Sequence, residues 1–294
     1  MLTSSVEIFG QAGNERHSLL SARRMIVKIG SALIADTETG EIRGPWLETL
    51  IEDVVRIFSR GQQVIIVTSG AVAIGSCQFD QLDRPLRIEE KQTAAAIGQV
   101  RLMLAYEKGF NRHGFGLGQI LLTRQDIDNQ HRRHTVRSTL QRLLEIGAVP
   151  VINENDATAT AENCFGDNDQ LAAQVMKVAN ADLLILLSNV DGLFTEDPHD
   201  NPSARLVTEV GCITPEIEAM AARSPARHSS GGMVTKLMAA RIAMDAGCGM
   251  VIAKGNKPYP LTAIENGELS TWFVPFANDR ASREESSNVD NTLS

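Results

Sequence analysis

The sequence feature that most constrains the fold is a regular alternation of short apolar runs with helical patterns. Runs typical of buried strands lie at 24–31, 64–67, 117–122, 148–152, 182–187 and 249–253. Apolar residues at helical spacing occupy 45–60, 91–108, 126–146, 170–179, 215–222 and 233–246. Strands that alternate with helices usually pair in parallel. The sequence therefore predicts an α/β fold with one mainly parallel sheet covered on both faces.

Polar residues are densest between Ala148 and Gln170, around the fourth predicted strand. That strand ends in Asn153–Asp156, and Gly166–Asp169 precedes the next helix. Open α/β folds bind ligands at the carboxyl ends of their strands, so the segment suits a polar pocket. An Asx-rich surface loop is the alternative, because Asn, Asp and Gly also favour turns on their own account. This segment alone does not decide between the two interpretations.

Three further segments have the chemistry of an anion site. Lys28 lies within an apolar strand, where it needs either an anionic partner or exposure at a sheet edge. Small residues at 68–71 and Gly231-Gly232 before a helix leave backbone N–H groups available, with Lys236 close by. A Gly-Gly pair alone is more often a simple cap. Together, the lysines, the turns and the acid–amide cluster predict a site that binds phosphate and a small polar substrate.

Charge and cysteine usage exclude several classes of protein. A net charge of −8 argues against a nucleic-acid or membrane-surface protein, and no apolar run approaches the ~20 residues of a membrane span. The four scattered cysteines are typical of reduced thiols in a cytoplasmic protein. His131 and His134 flank two arginines, which favours a solvated basic helix face over metal ligation.

Boundaries and turns can also be predicted. Residues 1–23 are expected to form a flexible N-terminal extension, 24–276 the folded domain, and 277–294 a disordered polar tail. Asp191-Gly192 predicts a hairpin turn, and 249–253 is expected to be the last buried strand.

The chain resembles the amino acid kinase family in several specific stretches. They are VKIGSALI, IVTSGAVAIG, KQTAAAIGQVRLM, QILLTR, PVINENDATATAE, FGDNDQLAA and SSGGMVTK, in the family's order. The resemblance implies a three-layer αβα sandwich around the sheet. It is closest to the members that use ATP and Mg²⁺ to phosphorylate the γ-carboxylate of L-glutamate, the first step of proline biosynthesis.

The resemblance also assigns roles to individual residues. Lys28 and Lys236 would stabilise the transferring phosphoryl group, held in position by Asp169. The substrate site would contain Ser69, Gly70, Asn153, Asp156, Asp167 and Asn168. The ATP site would contain Lys28, Ser188, Asn189, Ser230, Gly231, Gly232, Met233, Val234, Thr235 and Lys236. ATP phosphates would hold most of the Mg²⁺ coordination.

Three departures from the family pattern limit what is carried over. Asn189 replaces a usual aspartate, which puts the nucleotide contact there in doubt, and Cys164 stands where many relatives have a basic residue. Many bacterial relatives carry a C-terminal PUA domain, and the short polar tail here favours a kinase domain alone.

The resemblance further implies a homo-oligomer, proline as a feedback inhibitor and glutamate-5-semialdehyde dehydrogenase as a partner. Alternatives are a kinase for a related acid, such as acetylglutamate or aspartate, and a non-catalytic glutamate or proline sensor. INEND and GDND favour glutamate as the substrate. The two lysines and Asp169 argue against a sensor.

Overall fold

The computed structural model describes residues 6–7, 18–36, 38–79, 84–160, 162–223 and 232–275. The strands are β1 (Val6–Glu7), β2 (Arg24–Ile29), β3 (Gln63–Val67), β4 (Leu117–Leu122), β5 (Val149–Glu154), β6 (Leu183–Ser188), β7 (Glu209–Val210), β8 (Gly249–Lys254) and β9 (Ser270–Phe273). The helices are α1 (Ser31–Ile34), α2 (Gly44–Ser59), α3 (Ala71–Ser76), α4 (Ile88–Asn111), α5 (Arg124–Asp128), α6 (Gln130–Glu145), α7 (Asn168–Ala179), α8 (Pro215–Ala222), α9 (Met233–Asp245) and α10 (Pro260–Glu265).

In the described part of the chain, the strands form one sheet of nine in the order β1-β7-β9-β8-β6-β2-β3-β5-β4. Neighbours from β8 through to β4 all pair in parallel. The pairs β1–β7 and β8–β9 are antiparallel. The prediction of a mainly parallel α/β sheet is therefore confirmed. Because β2 lies between β6 and β3, Lys28 belongs to an interior strand and not to an edge strand.

Helices cover both faces of the sheet, and each face has its own hydrophobic core. One core joins α6, α7 and α9 to residues such as Ile26, Ile65 and Leu184. The other joins α2, α4 and α10 to their strand neighbours, such as Met25 and Val27. Alternate residues of β2 thus point into opposite cores. The layers are those of an αβα sandwich, and no helix in the described part of the chain is long and apolar enough to cross a membrane.

Helices α3 and α4 approach each other closely because each contributes a glycine to their contact. A Cβ atom on Gly98 would come within 1.9 Å of the carbonyl oxygen of Ala71. On Gly75 it would come within 1.8 Å of the carbonyl oxygen of Ala94. This contact brings α4 next to the turn that follows β3, so that a residue of α4 can reach the carboxyl edge of the sheet.

The sequence-based interpretation of 126–146 as one helix was wrong. The structure has two helices, α5 and α6, separated at Asn129, whose backbone is extended at φ −76° and ψ 121°. The Oδ1 atom of Asn129 accepts a hydrogen bond from the backbone N–H of Arg132 at 3.0 Å. Asn129 therefore caps a new helix, and helical spacing on either side concealed the break.

The hairpin turn predicted at Asp191-Gly192 was also wrong. Antiparallel contact occurs further along the chain, between Phe194 and Leu206. Gly192 instead lies against β9, where an added Cβ atom would be 2.3 Å from the Oγ1 atom of Thr271. The glycine allows a close approach of two backbones, a role that local sequence does not distinguish from a turn.

β8 is not the last buried strand, as the sequence had indicated. β9 follows it and pairs with β8 in antiparallel fashion and with β7 in parallel fashion. β9 is only four residues long and contains the buried polar residues Ser270 and Thr271. It therefore lacks the apolar run by which the other buried strands were predicted. The predicted tail at 277–294 lies outside the described residues.

Candidate active site

The carboxyl ends of β2, β3, β5 and β6 open onto one cleft of about 350 Å³. Most of the predicted site residues meet there. Those that line it are Lys28, Ser69, Gly70, Asn153, Asp156, Asp167, Asn168, Ser188, Asn189 and Lys236. The polar residues at the end of β5 and those just before α7 thus belong to a pocket and not to a surface loop.

Two buried lysines share one carboxylate at the floor of the cleft. The Nζ atom of Lys28 lies 2.5 Å from Oδ1 of Asp169, and the Nζ atom of Lys236 lies 2.9 Å from its Oδ2. Burial pushes the pKa of Asp169 upward, but the two ammonium groups outweigh it and hold that pKa below its ordinary value. Both ammonium groups are anchored by Asp169 and also line the cleft, so the lysines can receive an anion there.

The N-terminus of α7 places Asp169 accurately. Asp167 is the N-cap, and its Oδ1 atom accepts a hydrogen bond from the backbone N–H of Asp169 at 2.9 Å. The same oxygen lies 4.0 Å from the Nζ atom of Lys28. The Oδ2 atom of Asp167 is buried and has no hydrogen-bond partner among the described residues. A buried carboxylate oxygen without a partner is costly, which indicates that a donor or a cation binds there.

An amide cluster forms the wall beside the lysines. The Nδ2 atom of Asn168 donates to the carbonyl oxygen of Thr68 at 2.6 Å, to the Oγ atom of Ser69 at 3.0 Å and to the Oδ1 atom of Asn153 at 2.8 Å. Asn153 is buried at the end of β5. These contacts connect β3, β5 and α7 within the predicted substrate site.

Two carboxylates border the opposite part of the cleft. Burial and the nearby Glu154 raise the pKa of Asp156 to about 6. Burial also raises the pKa of Glu154, against the hydrogen bond its Oε1 atom accepts from the backbone N–H of Phe165 at 2.6 Å. Because both pKa values are raised, neither carboxylate ionises readily. A cation bound in the cleft beside Asp156 would favour its ionised form and would itself be stabilised.

The turn after β3 depends on glycine. Gly70 has φ 97°, and an added Cβ atom would lie 2.9 Å from Cγ2 of Ile34. Both the left-handed backbone and the close contact therefore exclude larger residues. The turn places Ser69 within reach of the amide cluster.

The predicted nucleotide residues are only partly gathered at the cleft. Ser188 and Asn189 line it, and the Oγ atom of Ser188 donates to Oδ1 of Asn189 at 3.3 Å. At the start of α9, Met233 packs in the hydrophobic core and Val234 is 44% exposed. Thr235 donates its hydroxyl hydrogen to the carbonyl oxygen of Gly232 at 2.8 Å. The predicted contacts of Ser230 and Gly231 lie outside the described residues.

A Mg²⁺ ion that arrives with a nucleotide fits this donor set. Mg²⁺ in such sites takes one or two carboxylates, with phosphate oxygens and water completing its shell. The Oδ2 atom of Asp167, which has no hydrogen-bond partner among the described residues, could supply such a carboxylate. Within the described residues there is no group of three or more His, Cys, Asp or Glu side chains that could hold a metal ion alone. A single carboxylate oxygen of this kind suits a metal that is brought by phosphate.

Two residues of this region were not predicted from the sequence. Glu154 lines the cleft, and Gln99 of α4 is buried against Asn153. Gln99 lies within the matching stretch KQTAAAIGQVRLM. A polar residue on the buried face of a helix was the available signal, but its partner lies 54 residues away along the chain.

Comparison with known proteins defines the class. The profile of the amino acid kinase family matches residues 23–254, and the chain belongs to this family. The fold is similar to carbamate kinase from Giardia lamblia bound to AMP-PNP, with a TM-score of 0.62, 14% identity and coverage of 87% of this chain and 99% of that one. UMP kinase from Ureaplasma parvum gives a TM-score of 0.60 at 14% identity, covering 86% and 98% of the two chains.

Sequence relatives narrow the comparison to one kind of kinase. The chain is 75% identical to glutamate 5-kinase 2 of Mesorhizobium japonicum, over 90% of this chain and 93% of the relative. It is 54% identical to glutamate 5-kinase 2 of Rhizobium meliloti, over 90% and 99%. It is 51% identical to glutamate 5-kinase of Paramagnetospirillum magneticum, over 91% of this chain and 72% of that longer protein.

Proposed function

We propose that the protein is a glutamate 5-kinase, which transfers the γ-phosphoryl group of ATP to the γ-carboxylate of L-glutamate. The product is L-glutamyl 5-phosphate, the first intermediate of proline biosynthesis. The observation that carries the proposal is the pair of buried lysines held by Asp169 beside the acid–amide pocket. The 75% identity to a glutamate 5-kinase supports the choice of substrate.

The reaction asks little of the protein beyond alignment and charge neutralisation. The γ-carboxylate has a pKa of about 4.3 and is ionised at neutral pH, so no general base is needed. Its oxygen attacks the γ-phosphorus in line, and the bond from that phosphorus to the bridging oxygen of ADP breaks. Lys28 and Lys236 receive the negative charge of the transferring phosphoryl group, while Asp169 keeps both ammonium groups in place.

Binding residues would orient the two substrates around these lysines. Asp156 and the carbonyl oxygen of Asn168 would pair with the ammonium group of glutamate, and the Ser69-Gly70 turn would receive a carboxylate. Asn153 would lie close by and hold Asn168 in place. Ser188, Asn189 and the segment from Ser230 to Lys236 would contact ATP. A bound Mg²⁺ would neutralise β- and γ-phosphate oxygens, with Asp167 as its ligand from the chain.

The deciding experiment measures ADP release with Mg-ATP and, in turn, L-glutamate, N-acetylglutamate and L-aspartate. Hydroxylamine traps the acyl phosphate as a hydroxamate. Turnover and hydroxamate with L-glutamate alone is the expected result. N-acetylglutamate has no ammonium group to pair with Asp156, and turnover with it would contradict the assigned substrate. Tight glutamate binding without any turnover would instead indicate a sensor.

The cellular setting follows from the same proposal. None of the four cysteines forms a disulfide, which suits the reducing cytoplasm. The labile product would be consumed by glutamate-5-semialdehyde dehydrogenase, with proline inhibiting the kinase and the chain acting as a homo-oligomer. Initial rates with added proline and light scattering of the purified protein test the last two points. Unchanged rates and a monomeric mass would contradict them.

A further inference from the structure

Three side-chain amides form a continuous chain of hydrogen bonds from α4 to the cleft. The Nδ2 atom of Asn168 donates to Oδ1 of Asn153 at 2.8 Å. The Nδ2 atom of Asn153 in turn donates to Oε1 of Gln99 at 2.9 Å. Gln99 and Asn153 are buried, with 8% and 1% exposure, whereas Asn168 lines the cleft. The chain thus connects a substrate-site residue to the interior of a helix.

Backbone groups fix the direction of every amide in this chain. The carbonyl oxygen of Thr68 can only accept, so the amide nitrogen of Asn168 must face it. The backbone N–H of Glu154 can only donate, and it donates to Oδ1 of Asn153 at 2.9 Å. Asn153 is then left with its nitrogen toward Gln99, which must present its oxygen. Reversing any one amide would place two donors or two acceptors against each other.

This polarity determines what Asn168 offers to a ligand. Its amide nitrogen is directed at three protein oxygens. Its carbonyl oxygen makes no hydrogen bond with the described residues and remains available to a donor in the cleft. A substrate ammonium group is such a donor. The Oε1 atom of Gln99, by holding Asn153, keeps the oxygen of Asn168 in that position.

Gln99 is a poor choice for stability alone. Its Nε2 atom is buried and has no partner among the described residues. A buried amide nitrogen without a partner is destabilising relative to an apolar side chain of similar size. The residue also lines a smaller cavity of about 260 Å³ that shares Glu154 and Asp156 with the main cleft. Because the amide nitrogen of Gln99 gains nothing from burial, the benefit of a glutamine at this position must come from its Oε1 atom, which accepts from Asn153.

We propose that Gln99 is a positioning residue for glutamate, acting through Asn153 and Asn168 without touching the substrate. The inference rests on the proposed function, because it assigns Asn168 to the substrate site. It predicts a specific pattern: weaker use of glutamate, unchanged use of ATP, and little net change of stability when the acceptor oxygen is removed. Stability changes little because the variant loses the partner of the Asn153 Nδ2 atom but also removes the unpartnered Nε2 atom of Gln99.

The test compares variants that lack or keep the acceptor. Gln99→Leu removes it, and Gln99→Met does so with an unbranched side chain if the leucine variant does not fold. Gln99→Glu keeps an acceptor oxygen in either protonation state. We expect about a tenfold rise in KM for glutamate in the acceptor-free variants and less than about a threefold rise in Gln99→Glu. The KM for Mg-ATP should stay within about twofold in all three.

Gln119→Leu is the matched control. Gln119 is an exposed residue that lines the same smaller cavity from the edge strand β4, and among the described residues it makes no hydrogen bond to Asn153. Its substitution should leave KM for glutamate unchanged. A double-mutant cycle with Asn168→Ala, measured as kcat/KM, should be non-additive, because Gln99 acts through Asn168.

The outcomes separate the inference from the proposed function. A wild-type protein that does not turn over glutamate contradicts the proposed function itself. With an active wild type, an unchanged KM in the acceptor-free variants overturns the inference. Equal defects in Gln99→Leu and Gln99→Glu, additivity in the cycle, or a Tm lowered by more than about 4 °C in both acceptor-free variants also overturn it, since each indicates a packing role.

Discussion

At the scale of single residues, the chemistry of the cleft rests on Lys236 being held but not neutralised. Replacing it by methionine keeps the length of the side chain and removes the charge that would meet the transferring phosphoryl group. We expect kcat to fall by about 10²- to 10³-fold, as when one preorganised donor is lost. The KM for glutamate should change much less, because the charge develops during transfer.

Lys257→Met provides the control for this change. Lys257 is an exposed lysine whose Nζ atom lies 2.5 Å from Oε1 of Glu268, and a surface pair of this kind contributes little. Its kcat should be that of the wild type. Steady-state ADP release measures both variants, and a near-normal kcat for Lys236→Met would remove Lys236 from the mechanism.

The raised pKa of Asp156 predicts a pH dependence of substrate use. Asp156 must be ionised to pair with the ammonium group of glutamate, and burial with the neighbouring Glu154 raises its pKa to about 6. The KM for glutamate should therefore rise as the pH falls through about 6. Asp156→Ala should raise KM at pH 8 and abolish this pH dependence. An unaltered KM in the variant would place the ammonium group elsewhere.

The raised pKa of Asp156 also predicts that this carboxyl group lowers the stability of the substrate-free protein at neutral pH. Because the folded-state pKa of Asp156 lies above the unfolded value of 3.8, the unfolded state loses its proton first. The carboxyl therefore lowers the free energy of unfolding as the pH rises from about 4 to about 6. Asp156→Asn should stabilise the substrate-free protein by about 2 kcal/mol at pH 8 and by little at pH 4. Urea unfolding at the two pH values measures this difference.

At the scale of elements, one buried aspartate connects two helices that are far apart in sequence. Oδ2 of Asp53 in α2 accepts from the backbone N–H groups of Leu261 and Thr262 at 2.8 and 3.1 Å. Its Oδ1 atom accepts from Arg56 at 3.1 Å. Asp53 therefore caps α10 from another helix, while Pro260 begins that helix without a capping side chain of its own.

Asp53→Ala should cost about 3 kcal/mol of unfolding free energy, because it leaves two backbone N–H groups of α10 without their acceptor and removes one of the two carboxylates that pair with Arg56. Glu48→Ala is a matched change on the same helix. Glu48 is exposed and pairs with Arg112 on the surface, so its loss should cost under about 0.5 kcal/mol. Urea denaturation measures the free energy of unfolding of both variants. Equal losses in Asp53→Ala and Glu48→Ala would contradict the capping role of Asp53.

Local sequence predicted those elements whose pattern is local. The strands β2 to β6, the strand β8 and most helices follow from apolar periodicity. The polar sequence after several of these strands indicated the edge that holds the cleft. The helix break at Asn129 could not be predicted from apolar periodicity, because one capping side chain makes the break and leaves the apolar spacing on both sides intact. β9 was missed because Thr271 is buried yet polar, satisfied by the carbonyl oxygen of Val207 at 2.6 Å.

Individual site residues divide in the same way. Lys28, Asp169 and Lys236 could be named from the matching stretches, and the structure brings them within hydrogen-bonding distance. Gln99 could not, because its importance depends on the close packing of α3 and α4 at Gly98 and on a partner in β5. Contacts between elements distant in sequence are set by the tertiary fold, which a single sequence does not display.

At the scale of the whole molecule, the sheet couples two cores that could otherwise melt separately. β2 and its neighbours contribute alternate residues to both cores, so neither layer can lose its packing without exposing strands that the other needs. The cleft lies across the ends of these same strands. Unfolding of either core should therefore also dismantle the site.

This coupling predicts one cooperative unfolding transition. Trp46 and Trp272 both belong to the core formed with α2 and α4, so tryptophan fluorescence reports on one layer, whereas far-UV circular dichroism reports on both. The two urea curves should coincide, and Mg-ADP with glutamate should shift both midpoints by the same amount. Fluorescence that changes at a lower urea concentration than dichroism would mean that the layer of α2 and α4 unfolds alone. The ligand would then stabilise only the strands that line the cleft, and the two curves would move apart on its addition.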